Sequence, residues 1–112
     1  MTDRELLEMA AKAAGIELCW VPNEDGIECS VLPGVIPWTW WNPLTDDGDA
    51  LRLAVKTGMS VNMFPNDDAR TECASHLQNN FVDEAWRHHA DPFAATRRAI
   101  VRAAAEIGKE MK

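Results

Sequence analysis

Trp38-Thr39-Trp40-Trp41-Asn42-Pro43-Leu44 runs directly into Thr45-Asp46-Asp47-Gly48-Asp49, and the reading of this stretch decides the fold. Three of the five tryptophans lie in it, and they lead into a helix start. Aromatic residues favour strands, so Val35 to Trp41 reads as a strand. Pro43 pushes Asn42 out of the helical region, and an Asx-type turn suits Asn42 there. Thr45 then has the chemistry of an N-cap, with Asp46, Asp47 and Asp49 at the positive end of the helix dipole. The predicted helix runs from Asp46 to Thr57 and stops at Gly58. Ala50, Leu51, Ala54 and Val55 form its expected core face, with Arg52 and Lys56 in water.

Upstream, Thr2 and Glu5 form a capping box that opens a helix over residues 3–14. Its apolar stripe is Leu6, Met9, Ala10 and Ala13, flanked by Leu7 and Ala14, with Arg4, Glu8 and Lys12 spaced i, i+4 on the wet side. Gly15 ends it. Ile16, Leu18 and Trp20 alternate with polar neighbours as a strand does. Asp25-Gly26 is a hairpin signal, and Ile27, Cys29 and Val31 continue as a second strand until Pro33-Gly34.

Downstream, Ser60 to Phe64 reads as a short strand. Cys73, Ser75 and Leu77 fit another, Gln78-Asn79-Asn80 a turn, and Phe81 to His88 a strand, with a helix as the alternative for that last piece. Asp91-Pro92 is a strong helix start. From there to Lys112, Phe93, Ile100, Ala104, Ile107 and Met111 recur at heptad-like spacing. Three helices around five or six hairpin-like strands point to an α+β fold with an antiparallel or mixed sheet.

The chain has 112 residues, 46% of them hydrophobic, which suits a single domain spanning 1–112. It has no apolar run long enough for a membrane span, and its first residues read as a polar helix, not a secretory signal. Cys19, Cys29 and Cys73 are an odd number at no framework spacing, as expected of free thiols in a reducing cytoplasm. The net charge of −7 argues against direct nucleic-acid binding. That charge is uneven: residues 1–70 hold twelve acids and five bases, residues 71–112 six of each. The acidic part is suited to solvent or a basic partner.

Trp41-Asn42-Pro43-Leu44, with Asp46-Asp47 and Asp49-Ala50-Leu51 after it, and the last helix opening Asp91-Pro92 with Ala94, Ala95 and Arg98-Ala99-Ile100, resemble the phage ABA-sandwich proteins. These small phage and prophage products are similar also to the NinX-type accessory proteins of lambdoid phages. The resemblance implies a three-layer α/β/α sandwich, taken here as a mostly antiparallel sheet of about five strands with three helices. It implies no catalytic residues.

Four constellations invite chemistry. Trp38, Trp40 and Trp41 could stack a flat ligand. Alternation puts Trp38 and Trp40 on one face and Trp41 on the other, and packing in a core or interface is the plainer account. Asp46-Asp47-Gly48-Asp49 lacks the alternate spacing and distal glutamate of a calcium loop, so capping explains it. Cys73, His76, His88 and His89 suggest zinc or a cysteine nucleophile, but Cys73 and His76 on a strand point to opposite faces and no local motif supports either. Arg97, Arg98 and Arg102 sit in the first half of the last helix, where positive charge opposes the dipole. With Lys109, Arg87, His88 and His89 they could bind an anion; the plainer account is a solvated face, with Arg97 paired to Asp46 or Asp47.

The expectation is therefore a phage or prophage accessory protein without catalysis, cofactor or metal, cytoplasmic in the host cell and acting by binding a host protein. The alternative is a small-ligand or nucleotide-binding module that uses the Trp cluster and the Arg row. A homodimer is expected because eight aromatic residues exceed what thin layers cover.

Overall fold

A computed structural model describes residues 1–26, 28–32, 39–66, 69–74 and 81–111. Helix α1 spans Asp3–Ala13 and is followed by strands β1 (Cys19–Pro22), β2 (Glu28–Leu32) and β3 (Thr39–Trp40). Then come helix α2 (Asp47–Thr57) and strands β4 (Ser60–Phe64), β5 (Arg70–Ala74) and β6 (Phe81–Ala85). A single 3-10 turn at Trp86–His88 leads into helix α3 (Pro92–Glu110). The fold is α+β, and among the described residues no helix is long and apolar enough to cross a membrane.

The expected single sheet of about five strands is two antiparallel sheets of three, ordered β1-β2-β3 and β4-β5-β6. The division has a local cause. Strand β3 pairs only Trp40 with Val31 and Thr39 with Leu32 before the chain turns inward at Trp41. Helix α2 follows β3 in the chain, and among the described residues no strand of one sheet pairs with a strand of the other.

The bend at the tryptophans is held by a set of interlocking bonds. The Trp41 amide donates to the Ser30 carbonyl at 3.0 Å, and the Ser30 hydroxyl donates to the Trp41 carbonyl. Asn42 Oδ1 accepts from the Leu44 amide at 3.0 Å, which is the Asx turn, and Pro43 is fully buried. The N-cap of α2 is Asp46, not Thr45: Asp46 is extended (φ −118, ψ 119) and its carboxylate accepts from the Asp49 amide at 2.8 Å. The Thr45 and Asp46 amides are drawn instead onto the Asn42 carbonyl, so the turn ends one residue later than the capping preference suggests. Gly58 closes the helix in the left-handed conformation (φ 68), which glycine adopts without a Cβ clash.

The core gathers around α3, which packs on α1, on α2 and across β5 and β6. Its buried face is made of small residues: Ala95, Ala99, Ala103, Ala104, Ala105 and Gly108, with Ile100 and Val101. α1 answers with Ala10, Ala11 and Ala14 beside Leu6 and Leu7. Two helices lined with alanine and glycine can approach more closely than leucine-lined ones. Of the stripe expected in the last helix, Ile100 and Ala104 are buried and Ile107 is half-buried, whereas Phe93 and Met111 are exposed. α2 likewise buries Ala50, Leu53 and Ala54, while Leu51 and Val55, expected in the core, face outward. Leu53 is fully enclosed, a burial that stabilises by about 1.5–3 kcal/mol.

Inside the second sheet, Thr71 is fully buried and its hydroxyl accepts from the Trp86 indole at 2.9 Å while bonding Thr96 at 2.7 Å. Trp86 was expected on a strand. It sits instead in the 3-10 turn, where its ring nitrogen can reach that hydroxyl.

Candidate functional site

The first sheet carries the most exposed part of the tryptophan stretch. Pairing of Val21 with Cys29 and of Val31 with Trp40 places these four residues on one face, because directly opposed residues share a side. Trp20 and Ser30 take the other face, and there the Arg4 guanidinium lies 4.4 Å from the Trp20 ring centroid, on the α1 side. Trp41 continues the alternation inward and is 3% exposed, whereas Trp40 is 55% exposed. Trp38 lies outside the described residues.

Trp40 borders a shallow hollow of about 490 Å3 lined by Val21, Pro22, Asn23, Glu24 and Asp25. Asn23 shapes the hairpin tip by accepting the Asp25 amide on Oδ1 at 2.9 Å. Glu24 and Asp25 project into solvent and make no ion pair among the described residues. An exposed indole thus sits beside two free carboxylates, across a β-sheet face that holds both in place. The sequence showed the turn and the indole, but the closeness of residues some sixteen apart depends on strand register.

The arginine row is divided. Arg97 faces α2, donating to the Leu44 carbonyl at 2.9 Å and to Asp47 at 2.6 Å. Arg98 and Arg102 line a different hollow of about 470 Å3 with Lys109, Glu84, Glu106, Leu6 and Met1. Arg98 pairs with Asp3 at 3.1 Å, and Arg102 pairs with Glu84 while donating to the Asp83 carbonyl at 3.2 Å. Each of the three guanidiniums therefore has an internal carboxylate. Arg87 and His88 are exposed on the 3-10 turn, and His89 is held 2.6 Å from Glu84.

Glu84 is the hub of that network. Burial alone would raise its carboxyl, but the hydrogen bonds and positive charge of His89 and Arg102 outweigh it and hold the group below its usual range. Cys73 is the opposite case: burial, aided by the Glu72 charge, pushes its thiol up to about 12. A thiol so disposed is a packing element, not a nucleophile. His76 lies outside the described residues, and among those described no three His, Cys, Asp or Glu residues gather to hold a metal ion.

Asp49 carries more than a capping role. It is buried, accepts the Asn42 amide on Oδ2 at 3.0 Å and the Arg52 guanidinium on Oδ1 at 2.8 Å. It thereby ties the tryptophan bend to the helix that follows. No described protein family, no curated protein and no solved structure matches the chain.

Proposed function

We propose that this chain is a non-catalytic accessory protein that binds a basic host protein through the face carrying Trp40, Glu24 and Asp25. One observation carries the reading: a tryptophan 55% exposed on a short edge strand, beside Glu24 and Asp25, which make no ion pair among the described residues. Exposed indoles are frequent anchors of protein interfaces, and truncating such an anchor costs about 2 kcal/mol or more. Carboxylates around it draw in a basic partner and set the orientation of approach. The phage or prophage origin, the host cytoplasm as location and the α/β/α stacking implied by the family resemblance belong to the same proposal.

The test uses the full chain as bait in host lysate, with Trp40→Ala and Glu24→Lys/Asp25→Lys as companions. Wild type should retain one dominant partner whose binding weakens with salt. Trp40→Ala should lower affinity about thirtyfold, the equivalent of 2 kcal/mol, and the double charge reversal should slow association. Equal retention by all three baits ends this reading. The nucleotide-binding alternative gains little from the geometry, since Trp41 is buried and the arginines are already paired. Retention of no protein, with quenching of Trp fluorescence by nucleotides, would favour it.

A further inference from the structure

We propose that β4 is the pairing edge for a second copy of this chain, with the apolar face of Leu51, Val55, Met63 and Phe93 closing over the junction. β4 is a terminal strand of its sheet, and among the described residues nothing pairs its outer edge. Its sequence, Ser60-Val61-Asn62-Met63-Phe64, holds no charge and no proline. Exposed edges are normally guarded by a charge, a proline or a bulge, because their free N–H and C=O groups recruit other strands. An unguarded edge is one meant to be covered.

The surface beside it is also unfinished. Register puts Val61 and Met63 on the same side as Cys73 and Thr71, the side on which α3 packs. α3 covers β5 and β6 but not β4, leaving a groove of about 450 Å3 between β4, α2 and α3. On its lining Leu51 is 65%, Met63 57% and Phe93 66% exposed, and Val55, one helical turn beyond Leu51, is 73% exposed. Together they present apolar surface on the order of 500 Å2, at the upper end for a monomer. Adding the strand edge brings each copy toward the roughly 800 Å2 that a stable interface needs.

The strand register favours a copy of the same chain as the partner. Antiparallel pairing about Asn62 sets Ser60 against Phe64, Val61 against Met63 and Asn62 against itself. Apolar residues then meet on the groove side and the two amides meet on the other. A slip of one residue would join the groove side of one copy to the wet side of the next. The net charge of −7 on each chain opposes the approach of two copies, but that repulsion is not focused at this edge: β4 is neutral and Asp47 at the groove is held by Arg97 at 2.6 Å. The result is a closed pair with two-fold symmetry and a continuous six-stranded sheet.

Sedimentation equilibrium on the full chain tests this. Wild type should show twice the 12.5 kDa chain mass. Asn62 is exposed on the wet face, so Asn62→Lys and Asn62→Asp should fold, as circular dichroism would verify. Each places like charges in contact across the two-fold and should weaken pairing about tenfold or more. Mixing the two variants should restore the pair, a result that only an Asn62–Asn62 contact produces. Leu51→Glu should also give monomers, whereas Trp40→Ala should leave the pair intact. A 12.5 kDa wild type at millimolar concentration, a pair indifferent to both Asn62 variants, or open-ended growth would overturn the proposal.

Discussion

Replacing Gly108 by alanine adds one methyl group at the place where α3 crosses α1. A Cβ there would lie 2.0 Å from the Met9 carbonyl oxygen and 2.8 Å from the Met9 carbonyl carbon. These are backbone atoms within a helix, so no side chain can swing aside. The two helices must separate locally, and the alanine-rich packing around the contact loosens with them. Overpacking of this kind costs about 1–3 kcal/mol. Alanine's better helix propensity offsets at most about 1 kcal/mol, less so near residue 110 where the helix ends. A net loss of about 2 kcal/mol follows, or roughly 8 °C in Tm for a domain of this size. The assay is urea and thermal unfolding followed by far-UV circular dichroism, with the urea slope expected unchanged. Gly48→Ala is the matched control. Its Cβ would meet Arg52 nitrogens at 3.1 and 3.3 Å and the capping Asp46 Oδ2 at 3.3 Å, side-chain atoms that need give by only a few tenths of an ångström, so the change in stability should be far smaller than at Gly108. A Gly108→Ala protein as stable as wild type would show that the helices do not cross this closely.

The Glu84 network sets a pH dependence. A carboxyl whose folded value lies below its ordinary 4.5 contributes stability that is present above that value and is lost as pH falls through the folded one. Glu84→Gln should therefore cost about 1.5–3 kcal/mol near neutrality and much less in acid, where the wild-type carboxyl is protonated too; a cost independent of pH would refute the assignment. Thiol labelling distinguishes the cysteines: exposed Cys19 should react quickly, while buried Cys73, its thiol pushed up to about 12, should react only when the protein opens. Stoichiometric labelling of Cys73 in the folded state, at the rate found for Cys19, would contradict its burial.

Signals confined to a few neighbouring residues were legible in the sequence. The Thr2–Glu5 capping box, the Asn42 Asx turn, the Gly58 stop and the Asp91-Pro92 start all appear, since each depends on a local side-chain bond or on the backbone preference of a single residue. The turn at Asn42 misled by one position because two amides share a single carbonyl there, a competition that propensities do not describe. The division into two sheets was not legible. Strands advertise their existence through period-two patterning, but their neighbours are chosen by chain connectivity and by what α3 covers. The face of Trp40, Glu24 and Asp25 escaped for the same reason: each residue is visible, and only register brings them together.

The expected core faces of α2 and α3 hold in part. On α2, Ala50 and Ala54 are buried as expected, but Leu53 is enclosed in place of Leu51 and Val55; on α3, Ile100 and Ala104 are buried while Phe93 and Met111 are not. Where α3 crosses α1 the helices approach so closely that the available space takes alanine, and Gly108 admits no carbon beyond its Cα without moving Met9. Large residues do enter elsewhere in the core, Leu6, Leu7, Trp41, Leu53 and Ile100 among them, so the limit on volume belongs to the α1–α3 contact. Leu51, Met63 and Phe93 lie outside the core and gather where α2, β4 and α3 converge. Enlarging the core with Gly108→Ala should loosen the platform on which β4 and α2 are held. The proposed self-association through β4 should then weaken together with stability, although residue 108 lies far along α3 from the groove at Phe93 and Thr96.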